Sequence, residues 1–258
     1  MIIMSLLKQL LTLVTLAVAS ITTSATQLTT PESLEYKVYY KWGIIHKHAG
    51  NATISVRRAG STYMATATGR SVGFAETFYP LRDTLRTTMR IADLAPSRYE
   101  RIAHENGRYA RDVVTFTRSG NNVTGNSIIQ RRKKKQEQLS ESTKTMTATG
   151  MTVDLLSSFY YLRSLPFSTM TPGTTRRINI FSGKRKEWLT ITYDGVTSLK
   201  LDGRDVQTYK VKFTFTSDGK KETSDPIEAW ISTAQSQIPL KIVGKLKVGQ
   251  VQCIYSGK

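Results

Sequence analysis

The sequence of 258 residues contains one cysteine, Cys253, so the chain cannot form an intramolecular disulfide bond. After the N-terminal region, no segment has the roughly 18 consecutive apolar residues that a membrane-spanning helix needs, and we predict that the chain does not span a membrane. Glycine-rich phosphate loops and the G-x-S-x-G nucleophile elbow are also missing. The fold must therefore rest on its own hydrophobic core, for which the chain is long enough.

The N-terminus has the pattern of a signal peptide. One cation, Lys8, precedes an apolar run over residues 10–19 that is too short to span a bilayer. Small residues suit cleavage after Ala19 or near Ala25, and we favour the second position. We therefore expect residues 1–25 to be a cleavable signal peptide and the mature protein to be periplasmic. Because no cysteine comes directly after the apolar run, we do not expect a lipoprotein.

Acidic residues are scarce: there are 19 Asp and Glu against 37 Lys and Arg, which gives a net charge of +18. A surface with this excess of cations attracts anions. The abundant anions of a cell envelope are lipid head groups and lipopolysaccharide phosphates, so we expect a lipid or a lipopolysaccharide-like amphiphile as a partner. We do not expect nucleic acid, because the chain carries a predicted export signal.

The densest basic run lies in the tract 130–145, which we predict to be a basic, mobile insertion. Residues of this tract are candidates for a basic rim around a ligand site, namely Arg131, Arg132, Lys133, Lys134 and Lys135. The alternative is a solvated hairpin tip that binds nothing.

Most of the mature sequence has the pattern of β-strands. Residues 34–42 are rich in aromatic and β-branched side chains, and Asn-Gly at 106–107 lies between two extended segments, which predicts a hairpin. Asp-Gly at 194–195 predicts a second hairpin. Cys253 alternates with apolar residues, which favours a buried thiol. Such a succession of strands and turns predicts an all-β fold, with a single strongly curved antiparallel sheet or open barrel. We assign residues 26–258 to one half-barrel domain.

One short helix is expected near residues 152–164. Thr152 is a candidate N-cap, and Asp154 places negative charge in the first turn, where it complements the helix dipole. The apolar side chains form two stripes, one of Val153, Leu156 and Tyr160 and one of Leu155, Phe159 and Leu162. A helix that is apolar on two faces is buried, so we expect it to pack against the concave side of the sheet.

Four segments in this order carry a family pattern: 36–56, 83–109, 154–163, and 229–232 with 238–242. Together they resemble the bacterial domain-of-unknown-function family 3108, whose members are exported envelope proteins. The resemblance covers nearly the whole mature chain. It implies a curved sheet with an enclosed helix, which is similar at the level of fold to periplasmic lipoprotein-carrier half-barrels. A shared fold does not transfer activity.

The family pattern singles out a structural signature of Asp154, Ser157, Tyr161, Arg163 and Pro239. Within it, we expect Arg163 to be the polar anchor that holds the end of the helix against the sheet. The partner that we propose for its guanidinium is the carboxylate of Asp83.

Catalytic and metal sites have little support in the sequence. His46 and His48 are two residues apart on a predicted strand, so they share a face and could bind a metal ion, but exposed surface histidines are the alternative. Since no third ligand is implied by the spacing, we predict no metal site. We likewise predict no catalytic residue and no cofactor, and therefore a protein that is not an enzyme.

Two hypotheses of function follow. The first is a carrier or binding module that holds a lipid or other anionic amphiphile on its concave face, with the basic rim selecting the head group. The residues assigned to that cavity are Leu156, Tyr160, Phe213, Phe215 and Trp230. The alternative is an envelope assembly or interaction protein with a filled core and a basic face that docks on an envelope protein. Inward aromatic residues fit both hypotheses, because they line a cavity and fill a core equally well.

Overall fold

A computed structural model describes residues 28–219 and 224–257 of the chain. The predicted signal peptide lies outside the described residues. The strands are β1 (Glu32–Trp42), β2 (Ile45–Ala59), β3 (Thr62–Ser71), β4 (Leu81–Arg90), β5 (Pro96–Glu105), β6 (Arg108–Ser119), β7 (Asn122–Arg132), β8 (Ser140–Thr149), β9 (Thr152–Val153), β10 (Thr175–Phe181), β11 (Lys186–Leu201), β12 (Arg204–Ser217), β13 (Ile227–Ser232), β14 (Pro239–Lys245) and β15 (Gln250–Gly257). The helices are α1 (Phe74–Phe78), α2 (Ser157–Arg163) and a 3-10 turn (Phe167–Thr169).

All strands belong to one 15-stranded sheet. Its order is β8-β7-β6-β5-β4-β3-β2-β1-β15-β14-β13-β12-β11-β10-β9. Successive strands are therefore neighbours from β1 to β8 and from β9 to β15, the first described strand pairs with the last, and β8 and β9 lie at the two edges. Neighbouring strands are antiparallel except β9 and β10, which are parallel. This architecture confirms the predicted all-β fold with a single, strongly curved sheet.

The two edges of the sheet come together without completing a ladder. The side-chain amide of Asn179 in β10 donates to the carbonyl oxygen of Thr149 in β8 at 3.1 Å. Phe181 stacks on Phe116 with ring centroids 5.8 Å apart, and a Cβ at Gly125 would overlap the Phe181 ring. Glycine at 125 therefore lets the edges close around an aromatic pair, and the sheet forms a nearly closed barrel.

The barrel interior is the buried face of alternating strands. In β4, for example, buried residues occupy every second position from Leu81 to Met89. Helix α2 lies in this interior, and nearly all of its side chains are buried. This confirms the predicted buried helix, but the helix is shorter than expected: Thr152 is not its N-cap and belongs to β9, which pairs with β10.

Two turns test the strand predictions. Asn106 and Gly107 both have positive φ and join β5 to β6, as the Asn-Gly pattern predicts. The hairpin predicted at 194–195 is wrong, because β11 continues through a bulge there and turns only after Leu201. A β-bulge uses the same flexible residues as a turn, so the local pattern is ambiguous.

Among the described residues, no helix is long and apolar enough to cross a bilayer.

The tract 130–145 is made mainly of the end of β7 and the start of β8, and only residues 133–139 form the loop between them.

Candidate functional site

Helix α2 is held in the barrel by the carboxylate of Asp154, which lies just before it and is fully buried. Asp154 Oδ1 accepts hydrogen bonds from the backbone N–H groups of Leu156 and Ser157 at 2.7 and 2.8 Å. In return, the Asp154 N–H donates to Ser157 Oγ at 3.0 Å. Thr87 on β4 donates its hydroxyl to Asp154 Oδ2 at 2.6 Å. The signature residues Asp154 and Ser157 therefore cap the helix and tie it to the sheet.

Burial raises the pKa of Asp154 to about 6, although the hydrogen bonds from Thr87, Ser157 and Leu156 oppose the shift. The folded chain therefore binds more protons than the unfolded chain between about pH 4 and pH 6, and stability should fall as the pH rises through this window. We expect Asp154→Asn to remove this pH-dependent decrease in the free energy of unfolding, which is about 3 kcal/mol in the unmodified chain. Denaturant unfolding of both proteins at several pH values measures it, and an equal slope in the variant would contradict the assignment.

At its other end, α2 is anchored by Arg163, which is buried. Its guanidinium donates to both carboxylate oxygens of Glu32 on β1, at 2.6 and 2.7 Å, and to the Ser236 carbonyl at 3.0 and 3.1 Å. The expectation that Arg163 anchors the helix end is confirmed. The prediction that Asp83 is its partner is wrong, because the Asp83 carboxylate pairs with Arg101 at 2.7 Å.

A second buried polar cluster lies on strands β4 to β7. Arg101 forms ion pairs with Asp83 and Glu105, and Arg131 pairs with Asp112 at 2.6 Å. Removing one partner of the buried Arg101 pairs leaves an uncompensated charge, which costs several kcal/mol. These groups are therefore structural. Arg131, which was assigned to a basic rim, neutralises an interior carboxylate instead of facing a ligand site.

In the part of the chain that the structure describes, two apolar cavities beside the helices are small. The apolar cavity between Tyr36, Leu156, Phe159 and Cys253 has a volume of about 40 Å³, and a second one under α1 has about 130 Å³. Pockets for drug-sized ligands are typically about 300 Å³ or larger. The side chain of Tyr160 is fully buried and belongs to the core.

The residues assigned to the ligand cavity are divided between two faces of the sheet. Phe213 and Phe215 lie inside with Leu156 and Tyr160 and belong to the core. Trp230 lies on the outer face, between Lys210 and Lys241, whose ammonium groups are 5.1 and 5.6 Å from the indole ring. The alternation of buried and partly exposed side chains along β13 indicates this outward position, since buried Ala229 and Ile231 flank Trp230. Of the remaining signature residues, Tyr161 is partly buried, and Pro239 begins β14.

Basic residues of the β7–β8 connection contact the β5–β6 hairpin. The guanidinium of Arg132 lies 5.9 Å from the centroid of the Tyr109 ring, and Lys134 Nζ donates to Asn106 Oδ1 at 2.7 Å. Lys133 and Lys135 are exposed in the same loop. The loop therefore packs on the neighbouring β5–β6 turn, at the end of the barrel that carries α1.

The histidines that could have bound a metal ion lie on either side of Tyr39. Its ring is 4.8 Å from the His46 ring and 5.5 Å from the His48 ring, and His48 Nε2 is 2.8 Å from Asn51 Oδ1. Within residues 28–219 and 224–257, no group of three His, Cys, Asp or Glu side chains is arranged to hold a metal ion.

A large concave surface lies on the outside of the barrel, over strands β1 to β5, and has a volume of about 900 Å³. We call it the outer groove. Two rows of side chains cross its floor, each following the register of β2 to β5. One row consists of Arg57, Met64, Thr88 and Arg98. The other consists of Ser55, Thr66, Arg86 and Glu100. Pro31, Ile238 and Tyr255 form an apolar wall at one end.

The arginines of the outer groove point to solvent from a floor rich in hydroxyl groups. Arg57 contacts Met64 Sδ at 3.2 Å, and Arg86 lies 3.6 Å from Glu100, at the long end of the range for an ion pair. Arg98 is exposed. Because neighbouring strands are about 4.8 Å apart, Arg57 and Arg98 start roughly 14 Å from each other. Guanidinium groups in this setting can donate paired hydrogen bonds to phosphate or carboxylate.

The outer groove has no signature in the sequence, because its arginines lie on three different strands and are not consecutive. The alternation pattern of each strand could have indicated that these side chains face outward, because Arg57, Arg86 and Arg98 each lie next to a buried residue. Only the strand register brings them into adjacent rows, and that register was not known.

The comparisons with known proteins give a family and a fold. The family model described as "Protein of unknown function (DUF3108)" matches residues 35–253. A beta-barrel-like protein of domain of unknown function DUF1849 from Brucella abortus superposes with a TM-score of 0.57, at 10% identity over 88% of this chain and 96% of that chain. A protein with a YmcC-like fold from Bacteroides fragilis has a TM-score of 0.35, with 10% identity over 88% and 95% of the two chains. No curated protein matches the sequence significantly.

Proposed function

Since the chain belongs to the DUF3108 family of proteins of unknown function, we propose that it is an exported, non-enzymatic protein that binds an anionic amphiphile, with the head group in the outer groove. The observation that carries the proposal is the combination of three arginines and a hydroxyl-rich floor in a concavity of about 900 Å³. A site on the outer face replaces the interior site, because the interior is packed around α2.

The chemistry of the groove fits an amphiphile better than a simple anion. Arg57, Arg86 and Arg98 supply cationic donors, and serine and threonine hydroxyls between them can exchange hydrogen bonds with sugar or glycerol oxygens. At one end, Ile238 and Tyr255 are partly buried and offer apolar area to the start of an acyl chain. The net charge of +18 favours the approach of any anion over long range.

We propose that the protein is not an enzyme, because its buried ionisable groups have structural roles. The fully buried carboxylate Asp154 accepts three hydrogen bonds as a helix cap, and Asp83 and Glu105 are paired with Arg101. Burial of Cys253 raises the pKa of its thiol, which leaves it protonated and a poor nucleophile. These groups are thus assigned to stability.

We expect replacement of Arg57, Arg86 and Arg98 by alanine to weaken the binding of short-chain phosphatidylglycerol by about tenfold or more, since charge-assisted hydrogen bonds contribute roughly 1.5–3 kcal/mol each. The measurement is a titration below the critical micelle concentration, monitored by calorimetry. The matching phosphatidylcholine should bind weakly to both proteins, and salt should reduce binding without abolishing it.

The matched control is the triple alanine variant of Lys133, Lys134 and Lys135, which removes the same charge from the β7–β8 loop. It should bind as the unmodified chain does. Equal losses in the two triple variants would show that net charge alone attracts the lipid. If no anionic amphiphile binds saturably to the unmodified chain, the assembly protein with a filled core replaces this proposal.

A further inference from the structure

Exposed apolar side chains are concentrated at the end of the barrel that carries α1. Trp42 and Ile44, in and beside the turn between β1 and β2, are 55% and 103% exposed. Val248, in the turn between β14 and β15, is 49% exposed, and Phe78 of α1 is 77% exposed. Leaving these side chains in water has a free-energy cost that burial would remove. We call the turns at 42–45 and 246–249 together the apolar tip.

The two turns form one continuous surface. Lys41 pairs with Gln250 at the ends of β1 and β15, and Tyr40 donates its hydroxyl to the Val248 carbonyl at 3.2 Å. Gly249 lies so close to Trp42 that a Cβ on the glycine would be 3.1 Å from the Trp42 Cβ. Because the backbones of the two turns are in contact, their exposed side chains project from the same end of the barrel.

Helix α1 lies beside the apolar tip. The ring of Phe74 is 6.3 Å from the ring of Tyr40, which also contacts the β14–β15 turn. Phe78 follows one helical turn later and is largely exposed. The exposed apolar area thus extends from the two turns onto α1.

The charges around the apolar tip have one sign. Residues 41–48 and 245–250 contain Lys41, Lys47, Lys245 and Lys247 together with two histidines, and they contain no Asp or Glu. Glu76 of α1 is paired with Arg82 at 2.7 Å, so it does not offset these lysines. Apolar side chains at a tip, with lysines just behind them, form the arrangement that binds an anionic bilayer surface.

We propose that the apolar tip docks on the surface of an anionic lipid bilayer, with Trp42 and Ile44 among the head groups and the four lysines against lipid phosphates. Tryptophan is suited to this position, because its ring is apolar and its N–H can still reach a hydrogen-bond acceptor. The proposal goes beyond the binding of a single amphiphile: it uses residues outside the outer groove and does not require the groove arginines.

Flotation with vesicles tests the docking. The protein is the chain from residue 26 onward, which holds every described strand and helix. We expect it to bind vesicles of phosphatidylglycerol and phosphatidylcholine at least tenfold more tightly than vesicles of phosphatidylcholine alone. Trp42→Ser combined with Ile44→Ser should weaken binding to the anionic vesicles by tenfold or more, while the thermal unfolding midpoint stays within a few degrees.

The control is Ile128→Ser combined with Val196→Ser, which removes two exposed apolar side chains from other strands. It should bind vesicles as the unmodified chain does. Lipids brominated in their acyl chains should quench the tryptophan fluorescence, and Trp42→Phe should remove most of that quenching although Trp188 and Trp230 remain.

Three outcomes would overturn the proposal: no binding to anionic vesicles, equal binding by the tip variant, or quenching that survives Trp42→Phe. The triple alanine variant of Arg57, Arg86 and Arg98 separates the two proposals. If it loses monomeric lipid but keeps vesicle binding, both stand. If it loses vesicle binding while the tip variant keeps it, the bilayer contacts the outer groove and the docking tip is wrong.

Discussion

Arg163→Met is expected to lower the free energy of unfolding by about 3–5 kcal/mol, the usual cost of breaking a buried ion pair by removing one partner. The guanidinium holds both oxygens of Glu32 and the Ser236 carbonyl, so its loss leaves a carboxylate and a carbonyl without their donor in a buried site. Methionine retains most of the aliphatic volume. Chemical denaturation monitored by circular dichroism measures the change.

The double variant with Glu32→Gln is the control, because a neutral amide no longer needs the missing charge. It should recover part of the stability lost in Arg163→Met, and the recovery is the coupling between the two residues. Additive losses in the double variant would mean that the pair is uncoupled, and the anchoring of α2 would then rest on apolar packing alone.

Leu156→Ala is expected to cost about 2–5 kcal/mol, because the side chain is 2% exposed and the helix around it is fixed at both ends. The truncation would join new empty space to the adjacent cavity of about 40 Å³. Since Asp154 and Arg163 hold the helix in place, the surroundings cannot easily collapse into that space. The thermal unfolding midpoint is the measurement.

Leu139→Ala serves as the matched control. Leu139 lies in the β7–β8 loop and is about half exposed, so its truncation should change stability by less than about 0.5 kcal/mol. An unchanged midpoint in Leu156→Ala would show that α2 is peripheral to the folded core.

Patterns within single segments predicted the architecture well. Alternation in strands such as β3 and β4 reflects burial of one face, and that burial operates on each strand separately. The two apolar stripes of the helix predicted its burial for the same reason. The prediction of a turn at 194–195 was wrong because a bulge and a turn need the same backbone freedom.

Features that depend on pairing between distant residues were not predictable. The partner of Arg163 is Glu32, on a strand that the sequence places more than a hundred residues away, and nothing local distinguishes it from Asp83. Trp230 was predicted to line the interior cavity, although the alternation around it indicates the outer face. The outer groove needs the relative register of four strands, which is set only by the folded sheet.

The pairing of β1 with β15 has a consequence for biosynthesis. Lys37 on β1 lies opposite Ile254 on β15, so one ladder of the sheet joins the first described strand to the last. That ladder cannot form until the ribosome has made β15, and such non-local contacts slow folding. During synthesis, β1 keeps one unpaired edge. The barrel therefore stays open throughout synthesis, and it can close only after the last described strand has been made.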